Sequence, residues 1–321
     1  MSDSRPRLLL PSAGRKVALM RCLEKYFRVY PCGYVPPETA SCCLAAMGRF
    51  VEQPEGLSDQ GYARWLKETC ERISIDLVIP VRDGDMWRLN SLRHMFKAEV
   101  IMSTAAALHC CNDKLNTYHV LNNPESGVFV PLTVQMASWR ELENLFPLFV
   151  KHRHGSGSQL AQKVYTPGEL GAVLIEHDHE ELIVQNFVGG DEYTVDVFCD
   201  RAGLIRGIST RKRVSVIEGQ MDQGEIVEIP DAISRAVAEI TSELTFVGPV
   251  NMQFILAPDG APWLTDVNLR FGGGTPLTIA AGCDFAKGLL QMFRGDPIKI
   301  DAPRIGTKAI SYIDYVFKEA E

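Results

Sequence analysis

An excess of basic residues is missing from this chain. It has 33 Lys and Arg against 40 Asp and Glu, a formal charge of −7, and this argues against non-specific nucleic-acid binding, which leans on a basic surface. No Cys-x-x-Cys pair occurs among the nine cysteines, an odd number that includes the neighbours Cys42-Cys43 and Cys110-Cys111. That pattern fits reduced, buried thiols rather than a disulfide framework or a zinc site. No stretch approaches the roughly 18 apolar residues of a membrane span. The leucine run at 8–10 is too short for the core of a signal peptide. The expectation is a cytoplasmic protein with no membrane contact. Internal repeats and low-complexity linkers are missing too, so the parts are expected to pack as one body.

What is present is an ordinary globular composition, 46% apolar and 23% charged over 321 residues, which excludes disorder, collagen and coiled coil. At about 150 residues per domain the length allows two domains or three small ones. The first third alternates short apolar runs with amphipathic stretches. Strands are expected at 8–10, 29–35, 76–81 and 98–102, with helices over 17–27, 62–73 and 86–96. This alternation implies βαβ units and a doubly wound parallel sheet. Residues 36–54 are expected to be loop with a short helix. Beyond about residue 110 strands predominate, at 145–150, 160–165, 182–188, 192–200, 204–216, 224–229, 249–256, 262–268 and 308–317. Helices are expected over 167–176 and 231–244, the second with Asp231 as N-cap. Ala257-Pro258-Asp259-Gly260 is a hairpin turn.

Three features can carry chemistry. Lys151 ends a strand that runs into a Gly/Ser loop, Gly155-Ser156-Gly157-Ser158, and then a second strand. Glycines spaced by small polar residues let backbone N–H groups turn toward an anion beside the lysine. The same residues also describe a plain hairpin. Asp266-Val267-Asn268-Leu269-Arg270 alternates so that Asp266, Asn268 and Arg270 share one face, and Gln253 lies on the partner strand. Oxygen donors on adjacent strands suit Mg²⁺, although a polar solvent-facing hairpin would read the same way. The run from Leu182 to Val188 breaks at Gly189-Gly190 and resumes with Asp191-Glu192, which describes either a hinge or a tight turn. Lys114 starts a helix. Arg15 and Lys16 follow the first strand, where a strand-to-helix turn can receive an anion. Arg211-Lys212-Arg213 is a triple basic cluster, readable as an acid-binding site or a solvated strand end. His152 and His154 lack companions for a metal site, and the four tryptophans read as packing.

Taken in order, Lys114, the Lys151 loop, the Gly189-Gly190 break with Glu192, Gln253, and Asp266-x-Asn268-x-Arg270 resemble the ATP-grasp superfamily. The likeness is nearest to its carbamoyl-phosphate-synthase-like carboxylate–amine ligases and covers nearly the whole chain. Supporting phrases are Ser12-Ala13-Gly14-Arg15-Lys16, Cys111-Asn112-Asp113-Lys114, Glu192-Tyr193-Thr194-Val195-Asp196-Val197 and Arg270-Phe271-Gly272-Gly273-Gly274.

The resemblance implies a mixed α/β fold in three parts. These are an N-terminal doubly wound domain over 1–110, a small lid over 111–188, and a C-terminal antiparallel-sheet subdomain over 189–321. It implies ATP with Mg²⁺, or Mn²⁺ in its place. Lys114 and Lys151 would contact phosphates, with Gly155, Ser156, Gly157 and Ser158 as the loop over them. Gln185, Asn186, Phe187 and Val188 would meet adenine, and Glu192 the ribose. Gln253, Asp266 and Asn268 would hold the metal. Arg270 would steady the transferring phosphate, and Arg211 and Arg213 would lie near the substrate acid. The chain departs from the family in having Asp266 where Glu is commoner, Leu269 where Pro is, and Asn186 where Glu is.

The implied activity phosphorylates a small carboxylate, an amino acid or small peptide, to an acyl phosphate and couples it to an amine. Both partners are small molecules, and a homodimer is the expected assembly. A small-molecule kinase and a non-catalytic nucleotide-binding subunit on the same scaffold are the alternatives.

Overall fold

The computed structural model describes residues 4–14, 16–34, 49–155, 160–217 and 220–311, with backbone alone for the strand residues between 213 and 222. Three sheets organise the chain. The first holds β1 (Arg7–Leu10), β2 (Arg28–Gly33), β3 (Val51–Glu52), β4 (Leu77–Val78) and β5 (Glu99–Val100), in the order β3-β2-β1-β4-β5. Every pairing within it is parallel. Helices α1 (Val17–Leu23), α2 (Asp59–Arg72) and α3 (Asp83–Leu89) connect its strands. The three leucines of β1 show why the run carries no polar alternation. Leu9 enters one hydrophobic cluster and Leu8 and Leu10 another, so both faces of the strand are covered, as a parallel sheet requires.

Two helices lead out of this sheet, α4 (Ala105–Cys111), capped by Thr104, and α5 (Lys114–Leu121), capped by Asp113. The second sheet follows, with β6 (Thr133–Gln135), β7 (Leu148–His152), β8 (Ala161–Val164) and β9 (Leu182–Asn186) in the order β6-β9-β7-β8. Helix α6 (Pro167–Glu176) packs on it, started by the Thr166 cap and proline at its first position. Its core is private: Leu148, Val150, Val164, Leu170 and Leu182 belong to a cluster with no member from the other sheets.

The third sheet is antiparallel wherever its strands pair. It contains β10 (Asp191–Cys199), β11 (Ile205–Ile217), β12 (Gln220–Val227), β13 (Gly248–Leu256), β14 (Pro262–Asn268) and β15 (Lys308–Ile310), in the order β14-β13-β10-β11-β12-β15. Helices α7 (Asp231–Glu243), α8 (Thr275–Ala280) and α9 (Phe285–Arg294) accompany it. This sheet shares its core with the first. Leu66 and Val78 cluster with Val195 and Met252, and Phe27 and Ile79 cluster with Phe198 and Phe285.

Several boundaries differ from the sequence expectation. Helix α1 ends at Leu23, four residues before Phe27, because the chain there turns tightly into β2. The expected helix over 86–96 is α3 followed by a short 3₁₀ turn at Arg93–Met95. The strand over 76–81 pairs only at Leu77–Val78. The N-cap of α7 is Pro230, with no side-chain cap, and Asp231 sits inside the first turn. Helix α9 was not anticipated, although Asp284 caps its start and Gly295, at φ 73°, ends it. The expected strand over 308–317 is strand to Ile310, and residues 312–317 lie outside the described residues, as do residues 36–48 of the loop expected over 36–54, whose remainder includes strand β3 because Val51 and Glu52 pair with Cys32 and Gly33. Among the described residues no helix is long and apolar enough to cross a membrane.

Candidate active site

The β13–β14 hairpin supplies the centre. Its register sets Gln253 opposite Asp266 and Asn251 opposite Asn268. Strand alternation sends Val267 and Leu269 into the core, and the polar residues between them form a connected line. Asn268 Nδ2 donates to Asp266 Oδ2 at 3.0 Å, and Arg270 Nη2 donates to Asn268 Oδ1 at 2.8 Å. Arg270 also grips Asp83, at the start of α3, with Nε to Oδ1 at 3.1 Å and Nη2 to Oδ2 at 3.2 Å. The two-point contact fixes the guanidinium plane and ties the first sheet to the third. Gln253, Asp266 and Asn268 together offer one carboxylate and two amide oxygens. These are hard donors that fit Mg²⁺ when phosphate oxygens and water complete its shell. Among the described residues no group of three or more His, Cys, Asp or Glu could hold a metal ion.

The two expected lysines reach the same place from the second sheet. Lys151, on β7, is buried, and its Nζ donates to the Thr265 carbonyl at 3.0 Å, one residue before Asp266. Burial lowers its ammonium to about 8, opposed by the negative charge of Asp266 and reinforced by the positive charge of Lys114. Lys114 opens α5, and its Nζ donates to the Gly155 carbonyl at 2.8 Å. Asp113 fastens this corner: it caps α5 through the Leu115 N–H and receives Arg153 in two hydrogen bonds of 2.9 and 2.6 Å. Between these parts lies a cleft lined by Asp83, Trp87, Asn112, Gly155, Asp266 and Asn268, among others. Ser156, Gly157 and Ser158 lie outside the described residues, as does Arg15.

The hinge residues occupy the end of β9. Gln185 is buried and its Nε2 donates to Thr133 Oγ1 at 2.6 Å, so its side chain braces β6. Asn186 clasps Leu132, its N–H donating to the Leu132 carbonyl and its Oδ1 accepting the Leu132 N–H. The Phe187 ring is exposed and carries Lys163 Nζ 3.8 Å from its centroid. Val188 is half-buried, and Glu192 is exposed on β10 opposite Ile255.

A family model described as ATP-grasp in the biosynthetic pathway with Ter operon matches residues 178–313. Over that stretch, less than half of its length, the chain is similar to the ATP-grasp family. Its fold is similar to the biotin carboxylase domain of 2-oxoglutarate carboxylase from Hydrogenobacter thermophilus, a structure in complex with MgADP, ADP and bicarbonate. The TM-score is 0.73 at 14% identity, over 95% of this chain and 73% of that one. It is similar as well to N5-carboxyaminoimidazole synthetase from Staphylococcus aureus, with TM-score 0.71 and 14% identity over 94% and 80% of the chains. The L-amino acid ligase from Bacillus licheniformis gives TM-score 0.68 and 15% identity over 91% and 75%. No curated sequence matches the chain.

Elsewhere the basic cluster behaves differently from its sequence reading. Arg211, on β11, is 3% exposed. Its guanidinium is paired with Asp196 and Thr278, and Asp196 also accepts from Asn251 Nδ2 at 2.6 Å. The glycine run after Arg270 lies against this network: a Cβ at Gly274 would stand 2.7 Å from Arg211 Nε, and one at Gly272 2.6 Å from Asn251 Nδ2. Arg211 therefore shapes the loop beside the cleft from below. The side chain of Arg213 lies outside the described residues. Sequence reasoning missed Asp83, Asp196, Asn251 and Lys163, whose partners are distant in the chain. It also assigned Trp87 to packing, whereas this ring is 44% exposed at the cleft, edge-on to His109.

Proposed function

We propose that the protein is a Mg²⁺-dependent ATP-grasp ligase. It phosphorylates a small carboxylate, an amino acid or small peptide, to an acyl phosphate and couples it to an amine, releasing ADP and phosphate. The observation that carries this reading is that Gly155, Asp266 and Asn268 line one cleft, while Lys114 and Arg270 hydrogen-bond to Gly155 and Asn268 and Lys151 to Thr265, the neighbour of Asp266. The fold neighbours support it, since two of the three named above are a synthetase and a ligase.

A carboxylate resists an amine at neutral pH because oxide is a poor leaving group, whereas phosphate leaves readily from an acyl phosphate. The difficulty is bringing two anions together. Lys114 and Lys151 would hold the nucleotide phosphates and Arg270 the transferring group, offsetting that repulsion. Asp266, Asn268 and Gln253 would hold Mg²⁺, which when bound neutralises phosphate charge. Gln185, Asn186, Phe187 and Val188 would line the adenine pocket through their backbone, and Glu192 would take the ribose. Gly155 to Ser158 would cover the phosphates and keep water from the acyl phosphate while the amine attacks. Arg211 and Arg213 would stand behind the acid-binding side, with Arg211 positioning the glycine loop. The same reading divides the chain at 1–110, 111–188 and 189–321 and assigns it to the cytoplasm as a homodimer.

The test is ADP release with Mg-ATP across pooled carboxylates, with and without hydroxylamine, which traps acyl phosphates as hydroxamates. Carboxylate-dependent ADP with hydroxamate is expected. ADP without hydroxamate would replace the ligase with a kinase, and Mg-ATP binding without turnover in any pool would remove the enzymatic reading.

A further inference from the structure

The corner of the cleft nearest the first sheet holds more positive charge than the ligase chemistry uses. Lys16 follows β1, and Arg82 and Asp83 follow β4. In the order β3-β2-β1-β4-β5 the chain leaves β1 toward β2 on one side and returns to β4 on the other. The switch point therefore lies between the carboxyl ends of β1 and β4, where an open parallel sheet forms a crevice for ligands.

The backbone there is bent to an unusual degree. Ser12, a buried non-glycine residue, sits at φ 48°, and Gly14 at φ 55°. A left-handed conformation at a non-glycine residue costs free energy and persists only where its surroundings enforce it. Gly14 is needed for space as well, because a Cβ there would stand 3.2 Å from Arg82 Nη2. The Arg82 guanidinium is thus laid over the turn that carries Lys16.

These charges are unbalanced. Lys16 is half-buried, and burial together with the positive charges of Arg270 and Arg82, against the single carboxylate Asp83, lowers its ammonium to about 8. That carboxylate is already engaged by Arg270. Neither Lys16 Nζ nor the Arg82 guanidinium has a hydrogen-bond or ion-pair partner among the described residues. Lys16 is half-buried and Arg82 exposed, and two cations beside a cleft with no hydrogen-bond or ion-pair partner among the described residues offer a place for an anion from outside those residues.

We propose that Lys16 and Arg82 form a docking site for a second anionic group, so that the ligase acts on a substrate bearing a phosphate or carboxylate besides the carboxylate activated at Arg270. The two strand-end turns hold the remote anion, while Arg270, anchored to Asp83, faces both ends of the molecule. The assignment rests on the ligase reading for which carboxylate reacts, but the anion site itself is a property of the first sheet.

The experiment is calorimetric titration of the full chain with inorganic phosphate and, separately, with succinate. Each titration is run without nucleotide and with saturating MgADP, on the wild type and on Lys16→Gln, Arg82→Gln and Lys151→Gln. At least one anion is expected to bind the wild type in both conditions, and which of the two binds tells phosphate from carboxylate. Lys16→Gln and Arg82→Gln are each expected to weaken that binding at least tenfold while MgADP affinity is unchanged, which also reports that these variants are folded. Lys151→Gln is expected to weaken MgADP and leave the anion titration as in the wild type. Binding of neither anion, or equal binding in the wild type and both strand-end variants, would overturn the proposal. Failure of the wild type to bind MgADP would overturn the ligase reading instead, with the nucleotide-free titrations still deciding the anion site.

Discussion

Lys151 and Asp266 form the pair on which the proposed chemistry depends. A lysine as enclosed as Lys151 would give up its proton readily, and the negative charge of Asp266 is what opposes that. Removing the carboxylate therefore takes away a proposed metal ligand and the counter-charge together. Asp266→Ala is expected to lower ADP formation by about 10²-fold or more with little change in melting temperature, read by a coupled ADP assay and a thermal scan. Near-normal turnover would dismiss Asp266 as a ligand. Lys151→Ala is expected to raise the Mg-ATP concentration needed for half-maximal rate, and unchanged ATP kinetics would remove Lys151 from the phosphate site. Arg211 belongs to a different class of residue. Truncating it leaves Asp196 buried without its main counter-charge, so Arg211→Ala is expected to cost roughly 3–5 kcal/mol of stability. The double change Arg211→Met with Asp196→Leu is expected to recover part of that loss in chemical denaturation.

Between elements, the junctions are set by single residues. Gly190 joins β9 to β10 at φ 155°, and a Cβ there would lie 2.2 Å from the Leu256 carbonyl oxygen. Backbone cannot retreat as a side chain tip can, so Gly190→Ala is expected to lower the melting temperature, at a cost of at least about 1–3 kcal/mol. At the start of α5, burial alone would push the Asp113 carboxyl up. Hydrogen bonds from Arg153 and the Leu115 N–H, with the charge of Arg153, bring it below the usual carboxylate range. Its folded value lies below its unfolded one, so this pairing stabilises fully above the unfolded value, about 4, and the contribution disappears as pH falls through the folded value. Asp113→Asn is expected to lower stability at neutral pH and to flatten the acid limb of the stability profile. An acid limb as steep as that of the wild type would show that the junction owes nothing to this ion pair.

Over the whole molecule, two sheets share cores and one does not. The first and third sheets contribute jointly to both large clusters and are further joined by Tyr26 with Asp284 and by Arg270 with Asp83. The second sheet and α6 rest on a smaller cluster of their own. Local opening is governed by how much apolar surface each unit buries. Amides of β7, β8 and β9 are therefore expected to exchange hydrogen faster than those of β10 and β13, and MgADP is expected to slow the faster set. Uniform exchange across the three sheets would show that the small cluster is no weaker than the shared ones.

The alternation of strands and helices, the hairpin at Asp259-Gly260 and the ordered lysines, amides and arginine were all readable before any folding. Each is local: period two in a strand, a turn residue, a spacing along the chain. By itself the sequence determined the fold class and brought Lys114, Lys151, Asp266, Asn268 and Arg270 under suspicion together. It determined neither where helices such as α1 stop nor that α9 exists, because those depend on the partner against which an apolar stripe is buried. The tertiary structure alone decided that Arg211 is sealed beneath the glycine loop and that Asp83 holds Arg270 across 187 residues of chain. It also left Lys16 and Arg82 without a hydrogen-bond or ion-pair partner among the described residues. Charge balance and burial are sums over neighbours in space, and a chain read in order does not contain its neighbours.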